Sequence, residues 1–331
     1  MAREITYRDA LREALHEEMD RDERVFLMGE DIGAYGGSYV VTRGFLEEYG
    51  RKRVRDTPIS ELGIVGVGIG AAMGGLRPIV ELMTINFSLL AMDQIVNHAA
   101  KLHYMFNGQF TAPIVIRTVS GWGQLGATHS QTFEGWFAHV PGLRVVMPAT
   151  PRDAKGLLKS AVRGQDPVIF IEHSLIYRNK GEVEEDELLL PLEGAEVRRE
   201  GTDVTIVSWS RGLYLALGAA DELARRGVQA EVIDMRVLRP LDIDTVVASV
   251  KKTNRLVTVE EGWRTGGLGA EIAAAVQEQA FDYLDAPIAR VASREVPMPY
   301  AKNLERLVVP DKDRVVEAVT EVIAPRKLAG V

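Results

Sequence analysis

The sequence predicts an α/β protein with two domains, each built on a mostly parallel sheet. Apolar, strand-like runs alternate with helical segments along most of the 331 residues, which is typical of a parallel sheet with helices on both faces. An acidic stretch near the middle interrupts the alternation. Because 331 residues exceed what one hydrophobic core usually serves, we predict a first domain over 1–185, a linker over 186–201 and a second domain over 202–331.

In the first domain, apolar runs and amphipathic stretches mark the predicted elements. The predicted strands cover 25–28, 78–82, 112–117, 143–147 and 167–172. The predicted helices cover 6–21, a segment that begins at Ser60, 89–105 and 151–163.

In the second domain, strands and helices alternate without interruption. The predicted strands cover 203–208, 229–234, 255–259 and 287–292. The predicted helices cover 212–226, 242–252, 267–284 and 311–323.

The composition excludes several classes of function. A net charge of −8 argues against a nucleic acid or an anionic membrane as the main partner. The absence of cysteine excludes disulfides, thiolate catalysis and cysteine–zinc sites. No stretch is long and apolar enough for a transmembrane helix, and the charged N-terminus does not resemble a secretion signal. We therefore expect a cytoplasmic protein.

The stretch TPISELGIVGVGIGAAMGG, residues 57–75, contains a literal GxGxxA at 66–71. This looser form of a dinucleotide-binding fingerprint raises one alternative function, a stand-alone NAD-dependent dehydrogenase. The context does not match, because residues 53–57 are too polar for the buried strand that precedes such a loop. An acidic residue about 20 positions on is also missing, since Glu81 comes only 15 residues after Gly66.

The same glycines also fit a helix. Gly66, Gly70 and Gly74 are four residues apart and would lie along one stripe of a helix, where glycine indicates close approach of another backbone. Ser60 is a candidate N-cap for that helix, which places Glu61 in its first turn. Taken alone, Glu61 is explained by its favourable interaction with the helix dipole.

Several long blocks of the sequence resemble one family. DTPISELG, LRPIVELMTINFS, DQIVNHAAK, the run from ATHSQ to KSAVR, and REVPMPYAKNLE are similar to the β subunit of the thiamine-diphosphate-dependent 2-oxo acid dehydrogenases. The resemblance extends from about residue 4 to about residue 322 and is strongest to the pyruvate branch. It implies a pyrimidine-binding thiamine-diphosphate fold followed by a transketolase C-terminal-like α/β domain.

The function implied by the resemblance is oxidative decarboxylation of pyruvate, with reductive acetylation of a lipoyl group on a dihydrolipoamide acyltransferase core. Branched-chain 2-oxo acids and acetoin are the close alternative substrates. A non-catalytic scaffold that only closes the site of a partner is a further alternative. The presence of Glu61 and His129 argues against that alternative.

The resemblance assigns roles to individual residues. It implies that Glu61 hydrogen-bonds a ring nitrogen of the aminopyrimidine and passes a proton to and from it. Ile59, Met83 and Phe87 match residues that contact the pyrimidine. Branched-chain members tend to carry Gln and Tyr at the positions of Met83 and Phe87, which favours pyruvate. Glu30 resembles a buried acid near the cofactor that is linked to proton relay between sites.

Two further residues are implied at the surfaces that meet other proteins. His129 follows a glycine-rich loop at 120–126 and is implied as a proton donor or orienter during acyl transfer to the lipoyl group. Glu295 aligns with an acid expected near the surface that docks the acyltransferase core.

The resemblance implies a magnesium ion held by a second chain and a potassium ion held by this one. Thiamine enzymes usually hold magnesium with a GDG block, and this sequence contains none. A separate α subunit is therefore expected to hold magnesium and the diphosphate, in a heterotetramer of two α and two β chains. Some relatives also bind potassium through backbone carbonyls, and the matching residues here are Ile114, Ala161, Val162, Gly164 and Asp166.

Overall fold

The computed structural model describes residues 2–324 of the chain. Contacts divide these residues into two units. The first unit runs to Glu193 and also takes in Arg236–Pro240, and the second contains Gly194–Met235 and the chain from Leu241 onward. The segment 186–201, predicted as a linker, includes a strand of the second unit, Glu196–Arg199.

The first unit contains strands and helices in alternation. Its strands are β1 (Ala2–Thr6), β2 (Val25–Gly29), β3 (Val54–Asp56), β4 (Arg77–Leu82), β5 (Val115–Ser120), β6 (Arg144–Val146), β7 (Val168–His173) and β8 (Lys180–Glu184). Its helices are α1 (Tyr7–Arg21), α2 (Phe45–Arg53), α3 (Glu61–Met73), α4 (Leu102–Met105), α5 (Glu134–Ala138) and α6 (Pro151–Arg163).

The second unit repeats the alternation. Its strands are β9 (Glu196–Arg199), β10 (Val204–Ser208), β11 (Ala230–Asp234), β13 (Leu256–Trp263) and β14 (Ala289–Ser293), while β12 (Val237–Arg239) belongs to the sheet of the first unit. Its helices are α7 (Arg211–Arg225), α8 (Ile243–Thr253), α9 (Leu268–Ala280), α10 (Lys302–Val308) and α11 (Lys312–Ile323).

Within the described residues, each unit is organised around one larger sheet. The first has seven strands in the order β12-β6-β7-β5-β4-β2-β3, and only β12 runs antiparallel to its neighbour. The second has five strands in the order β14-β13-β10-β11-β9, with β9 antiparallel. The central strands β2, β5, β7, β10 and β11 are buried along their whole length. These buried parallel sheets confirm the predicted α/β class.

One predicted helix, over 89–105, is wrong as a single element. The chain instead forms a 3₁₀ helix over Ile85–Ala91, a π turn over Gln94–Ala99 and the short helix α4. The hydrophobic pattern indicated a buried face but carried no information on which backbone carbonyl each N–H selects. Short π turns occur frequently at functional sites.

The glycines of α3 do not all serve the same purpose. A Cβ on Gly68 would lie 2.8 Å from side-chain atoms of both Ile114 and Val80, so this glycine permits close packing of α3 on the sheet. Gly70 of the predicted stripe has no such neighbour within 4 Å and lies on the exposed side of the helix. Gly68 rather than Gly70 therefore makes the close approach within the chain, and a contact of the glycine stripe with another chain stays a prediction. Ser60 occupies the N-cap position, but its hydroxyl makes no capping hydrogen bond.

No helix within residues 2–324 is both long and apolar enough to cross a membrane.

Candidate functional site

The predicted cofactor residues collect where the parallel strands of the seven-stranded sheet end. Glu30 directly follows β2, and Met83 directly follows β4, which pairs with β2 in parallel. Glu61 is the first residue of α3, the helix that packs against β4 and the Ile85–Ala91 segment. Ligands bind preferentially beyond the carboxyl ends of strands in open α/β sheets. This carboxyl edge is therefore the candidate site.

Glu30 and Glu61 form a pair of neighbouring buried carboxyl groups at this edge. Glu30 is 9% exposed and Glu61 is 3% exposed. Burial raises the pKa of Glu30, and the adjacent charge of Glu61 raises it further. The Oε1 atom of Glu30 has no hydrogen-bond partner within the described residues. A buried polar atom of this kind is costly in the free chain and suits a site that acquires a polar ligand.

The other three predicted pyrimidine contacts present apolar surface. Met83 and Phe87 are half-buried, and Phe87 lies in the 3₁₀ helix Ile85–Ala91. Ile59 is 82% exposed, two residues before Glu61. We refer to these three side chains as the apolar wall of the candidate site.

His129 lies close to this wall. It ends a 3₁₀ turn, Ala127–His129, that follows the glycine-rich loop after β5. Its ring meets the ring of Phe87 edge-on, with centroids 5.4 Å apart at an angle of 85°. His129 is exposed, and its Nδ1 lies 3.0 Å from the hydroxyl of Thr128. The structure thus brings two of the predicted residues into contact and leaves the imidazole accessible.

The sequence analysis missed a buried ion cluster beneath the same edge. The guanidinium of Arg117, on β5, donates to Glu81 on β4 and to Glu172 on β7, each at 2.7 Å. The hydroxyl of Tyr177 donates to the second oxygen of Glu172 at 2.6 Å. Burial raises the pKa of Glu172, while its carboxylate and that of Glu81 raise the pKa of Arg117. Charged residues within otherwise apolar strands were the signal available in the sequence.

The predicted potassium ligands lie at the opposite edge of the sheet. Ile114 precedes β5, Ala161 and Val162 are in the last turn of α6, and Gly164 and Asp166 precede β7. The guanidinium of Arg77 already donates to the carbonyls of Val162 and Gly164, at 2.8 and 2.9 Å. The carbonyl of Ile114 accepts from Val168 N–H at 2.9 Å. The side chain of Asp166 pairs with Arg144 instead.

Glu295 is exposed and lies in the second unit. Its Oε1 accepts a hydrogen bond of 2.8 Å from the backbone N–H of Thr265. This bond ties two loops together, so the residue has a structural role in the chain itself.

The glycine motif at 66–71 has a different place in the structure from that of a dinucleotide-binding loop. The GxGxxA at 66–71 lies inside α3 rather than between a strand and a helix N-terminus. Its glycine N–H groups are committed to the helix, so they cannot hold a pyrophosphate, and the alternative of a stand-alone NAD-dependent dehydrogenase is wrong. Within residues 2–324, no group of three or more His, Asp or Glu side chains is arranged to hold a metal ion.

Comparison with known families defines the class of protein. Residues 3–180 match the family described as "Transketolase, pyrimidine binding domain", and residues 193–315 match "Transketolase, C-terminal domain". A solved structure described as "Split gene transketolase, inactive beta4 tetramer" has the same fold, with a TM-score of 0.80 and 24% identity. The alignment covers 96% of this chain and 98% of that one. The chain thus consists of two transketolase-type domains.

Curated relatives define the family more closely. The pyruvate dehydrogenase E1 component subunit beta of Rhizobium meliloti is 53% identical over 320 residues, covering 96% of this chain and 70% of that protein. The Rickettsia felis subunit of the same name is 51% identical, covering 96% and 98%. The mitochondrial subunit of Dictyostelium discoideum is 49% identical, covering 98% and 93%. This chain belongs to the family of pyruvate dehydrogenase E1 component β subunits, which confirms the resemblance in its sequence blocks.

Proposed function

We propose that this chain is the β subunit of a pyruvate dehydrogenase, active only together with a separate α subunit. The reaction is oxidative decarboxylation of pyruvate with transfer of the acetyl group to a lipoyl group on a dihydrolipoamide acyltransferase core. One observation carries the proposal: a buried Glu61 lies beside a buried Glu30 at the carboxyl edge of a pyrimidine-binding-type domain. Relatives that carry the name of this enzyme match nearly the whole chain.

The residues at the carboxyl edge fit the aminopyrimidine half of thiamine diphosphate. When bound, this cofactor supplies the carbon nucleophile that attacks the 2-oxo group and the electron sink for loss of carbon dioxide. Glu61 holds a proton at a ring nitrogen of the pyrimidine and takes it back. Glu30, with its unpartnered oxygen, accepts or returns that proton. Ile59, Met83 and Phe87 contact the ring and keep water away from it.

His129 acts in the second half of the reaction. Reductive acetylation breaks the disulfide of the lipoyl group: one sulfur takes the acetyl group, and the other takes a proton. We propose that the exposed imidazole of His129 donates or orients that proton. The contact of its ring with Phe87, a proposed pyrimidine contact, supports this role.

The diphosphate half of the cofactor belongs to the α subunit. Magnesium requires oxygen ligands in near-octahedral geometry, and residues 2–324 offer no acidic cluster for it. The isolated chain should therefore bind thiamine diphosphate weakly, and two α and two β chains should form the active assembly. Calorimetry on the isolated chain tests this division, since micromolar binding without a partner would contradict it.

A potassium ion and a docking contact are finer parts of the proposal. The Val162 and Gly164 carbonyls converge on one cation, the guanidinium of Arg77. Each carbonyl oxygen has a second lone pair, so a potassium ion can bind these two carbonyls together with those of Ile114, Ala161 and Asp166.

Glu295 would contact the acyltransferase core. We expect the complex in the cytoplasm, although some relatives carry mitochondrial names.

The identity of the substrate is tested by co-expression with the α-like chain. Purified heterotetramer is assayed with an artificial electron acceptor for decarboxylation of pyruvate and of branched-chain 2-oxo acids, and for carbon–carbon cleavage of acetoin, which has no carboxyl group to lose. We expect pyruvate to have the highest kcat/KM, because Met83 and Phe87 replace the Gln and Tyr typical of branched-chain members. A preference for a branched-chain acid would overturn the substrate. Absence of turnover on every 2-oxo acid would favour the alternative that the chain is a non-catalytic scaffold.

A further inference from the structure

A hydrogen-bonded contact joins the two segments that carry Phe87 and His129. The side chain of Asn86 is 6% exposed and lies immediately before Phe87. Its Oδ1 accepts from both the backbone N–H and the side-chain Nε2 of Gln131, each at 3.2 Å. Its Nδ2 donates to the hydroxyl of Thr84 at 3.1 Å. Because the oxygen faces two donors and the nitrogen an acceptor, only one orientation of the amide satisfies all partners.

Gln131 extends this contact to the turn that bears His129. Its Nε2 also approaches the carbonyl of Thr128 at 3.4 Å. The hydroxyl of Thr128 holds Nδ1 of His129 at 3.0 Å, and Nε2 of the imidazole has no hydrogen bond within the described residues. Nε2 of His129 is therefore the ring nitrogen that is free to donate a proton to the lipoyl sulfur. Its position depends on a turn that the Asn86–Gln131 contact fixes.

We propose that Asn86 and Gln131 are positioning residues that hold His129 against Phe87 for transfer of the acetyl group to the lipoyl disulfide. This inference rests on the role proposed above for His129. A turn after a glycine-rich loop has few constraints of its own, and proton donation requires the donor within hydrogen-bond reach of the acceptor. The hydrogen bonds between Asn86 and Gln131 supply this constraint on the turn, and Asn86 lies in the same segment as Phe87 of the apolar wall.

The test separates two partial reactions of the assembled heterotetramer. Decarboxylation is followed with an artificial electron acceptor, and acetylation is followed with an isolated lipoyl domain as substrate. Gln131→Leu removes both side-chain bonds while keeping the volume, and we expect the ratio of acetylation to decarboxylation to fall about tenfold. The fall should be in kcat for acetylation, with KM for the lipoyl domain unchanged. Gln277→Leu, at an exposed position of α9, is the matched control.

Variants of Asn86 provide a second test. Asn86→Asp keeps an acceptor oxygen toward Gln131, so it should retain most of the wild-type ratio of acetylation to decarboxylation. Asn86→Leu should lower that ratio at least as far as Gln131→Leu does. If Asn86→Leu fails to assemble, the half-buried Gln131 still decides the matter. Equal losses in both partial reactions would overturn the inference, because they would indicate a merely structural contact.

His129→Ala distinguishes failure of this inference from failure of the proposed function. If His129→Ala lowers acetylation but Gln131→Leu and Asn86→Leu leave the ratio unchanged, the positioning role is wrong and the proposed function stands. If His129→Ala leaves acetylation at the wild-type rate, the role of His129 is wrong and the inference that depends on it is overturned too.

Discussion

The carboxyl group of Glu30 lies beside that of Glu61, and both are buried at the carboxyl edge of the seven-stranded sheet. Burial and then the neighbouring charge of Glu61 raise the pKa of Glu30, so Glu30 retains a proton more readily than an ordinary glutamate does. A pair of this kind suits a reaction in which a proton moves to and from a ring nitrogen.

Glu61→Gln should lower decarboxylation by about 10²–10⁴-fold, because an amide keeps the shape of the side chain but cannot pass a proton. The heterotetramer should still assemble. The matched control is Glu47→Gln, which removes an exposed first-turn acid from α2. If both variants retain near-normal turnover, Glu61 is only a helix-dipole residue.

Glu30→Gln should stabilise the assembled protein at neutral pH and lower its activity. Burial raises the pKa of Glu30 above that of the unfolded chain. The cost of ionising it is therefore absent below the unfolded pKa and fully present above the folded pKa. Thermal unfolding should show Tm raised by about 2 °C at pH 8, with the difference disappearing as the pH falls through the folded pKa towards the ordinary glutamate value. A gain that does not vary with pH would argue against a raised pKa.

Substitutions in α3 should distinguish packing within the chain from packing against a partner. Gly68→Ala places a Cβ 2.8 Å from Ile114 and Val80, and overpacking of this kind costs about 1–3 kcal/mol. Gly70→Ala meets nothing and should leave stability unchanged or raise it by up to about 1 kcal/mol. Urea unfolding of the isolated chain measures both effects.

Gly70→Leu tests whether the stripe of Gly66, Gly70 and Gly74 lets the α subunit approach α3 closely. It should leave Tm of the isolated chain within about 2 °C, because Gly70 faces solvent there. Sedimentation should nevertheless show weaker assembly with the α subunit. Unchanged assembly would mean that the glycine stripe is not a contact.

Arg117→Met should destabilise the protein by about 3–5 kcal/mol, because it leaves the buried carboxyl group of Glu172 and the half-buried carboxyl group of Glu81 without their cation. The double variant with Glu172→Gln should recover part of this loss. Arg226→Met is the control, since Arg226 is exposed and its i,i+4 pair with Glu222 should contribute far less than the buried pair. Equal losses in denaturant unfolding would show that burial does not matter here.

Potassium should stabilise the protein more than sodium does. A ligand that binds only the folded state raises Tm with its concentration, and the carbonyls around Val162 and Gly164 are the proposed ligands. Differential scanning calorimetry in matched potassium and sodium chloride measures the effect. Equal Tm values in the two salts would indicate that Arg77 alone satisfies these carbonyls.

Much of the fold could be predicted from local patterns. A buried parallel strand such as β2 is a continuous apolar run, and an amphipathic helix such as α6 carries a clear period. The segment 89–105 could not be predicted in this way, because 3₁₀, α and π turns bury similar faces and differ only in their hydrogen bonds. The capping of α3 was missed for a related reason. A serine before a helix predicts the position of the cap, while the rotamer of its hydroxyl depends on neighbours.

The sequence by itself determined the α/β class, the alternation of elements, the family and the position of Glu61 at the start of a helix. Those properties follow from hydrophobic period and from residue blocks that are contiguous in the chain. Only the tertiary structure decided that Glu30 lies beside Glu61, that Arg117 bridges Glu81 and Glu172, and that Asn86 and Gln131 hold His129 near Phe87. The physical reason is that each contact joins residues far apart in sequence. Sheet order and loop packing bring them together, and no local pattern records either.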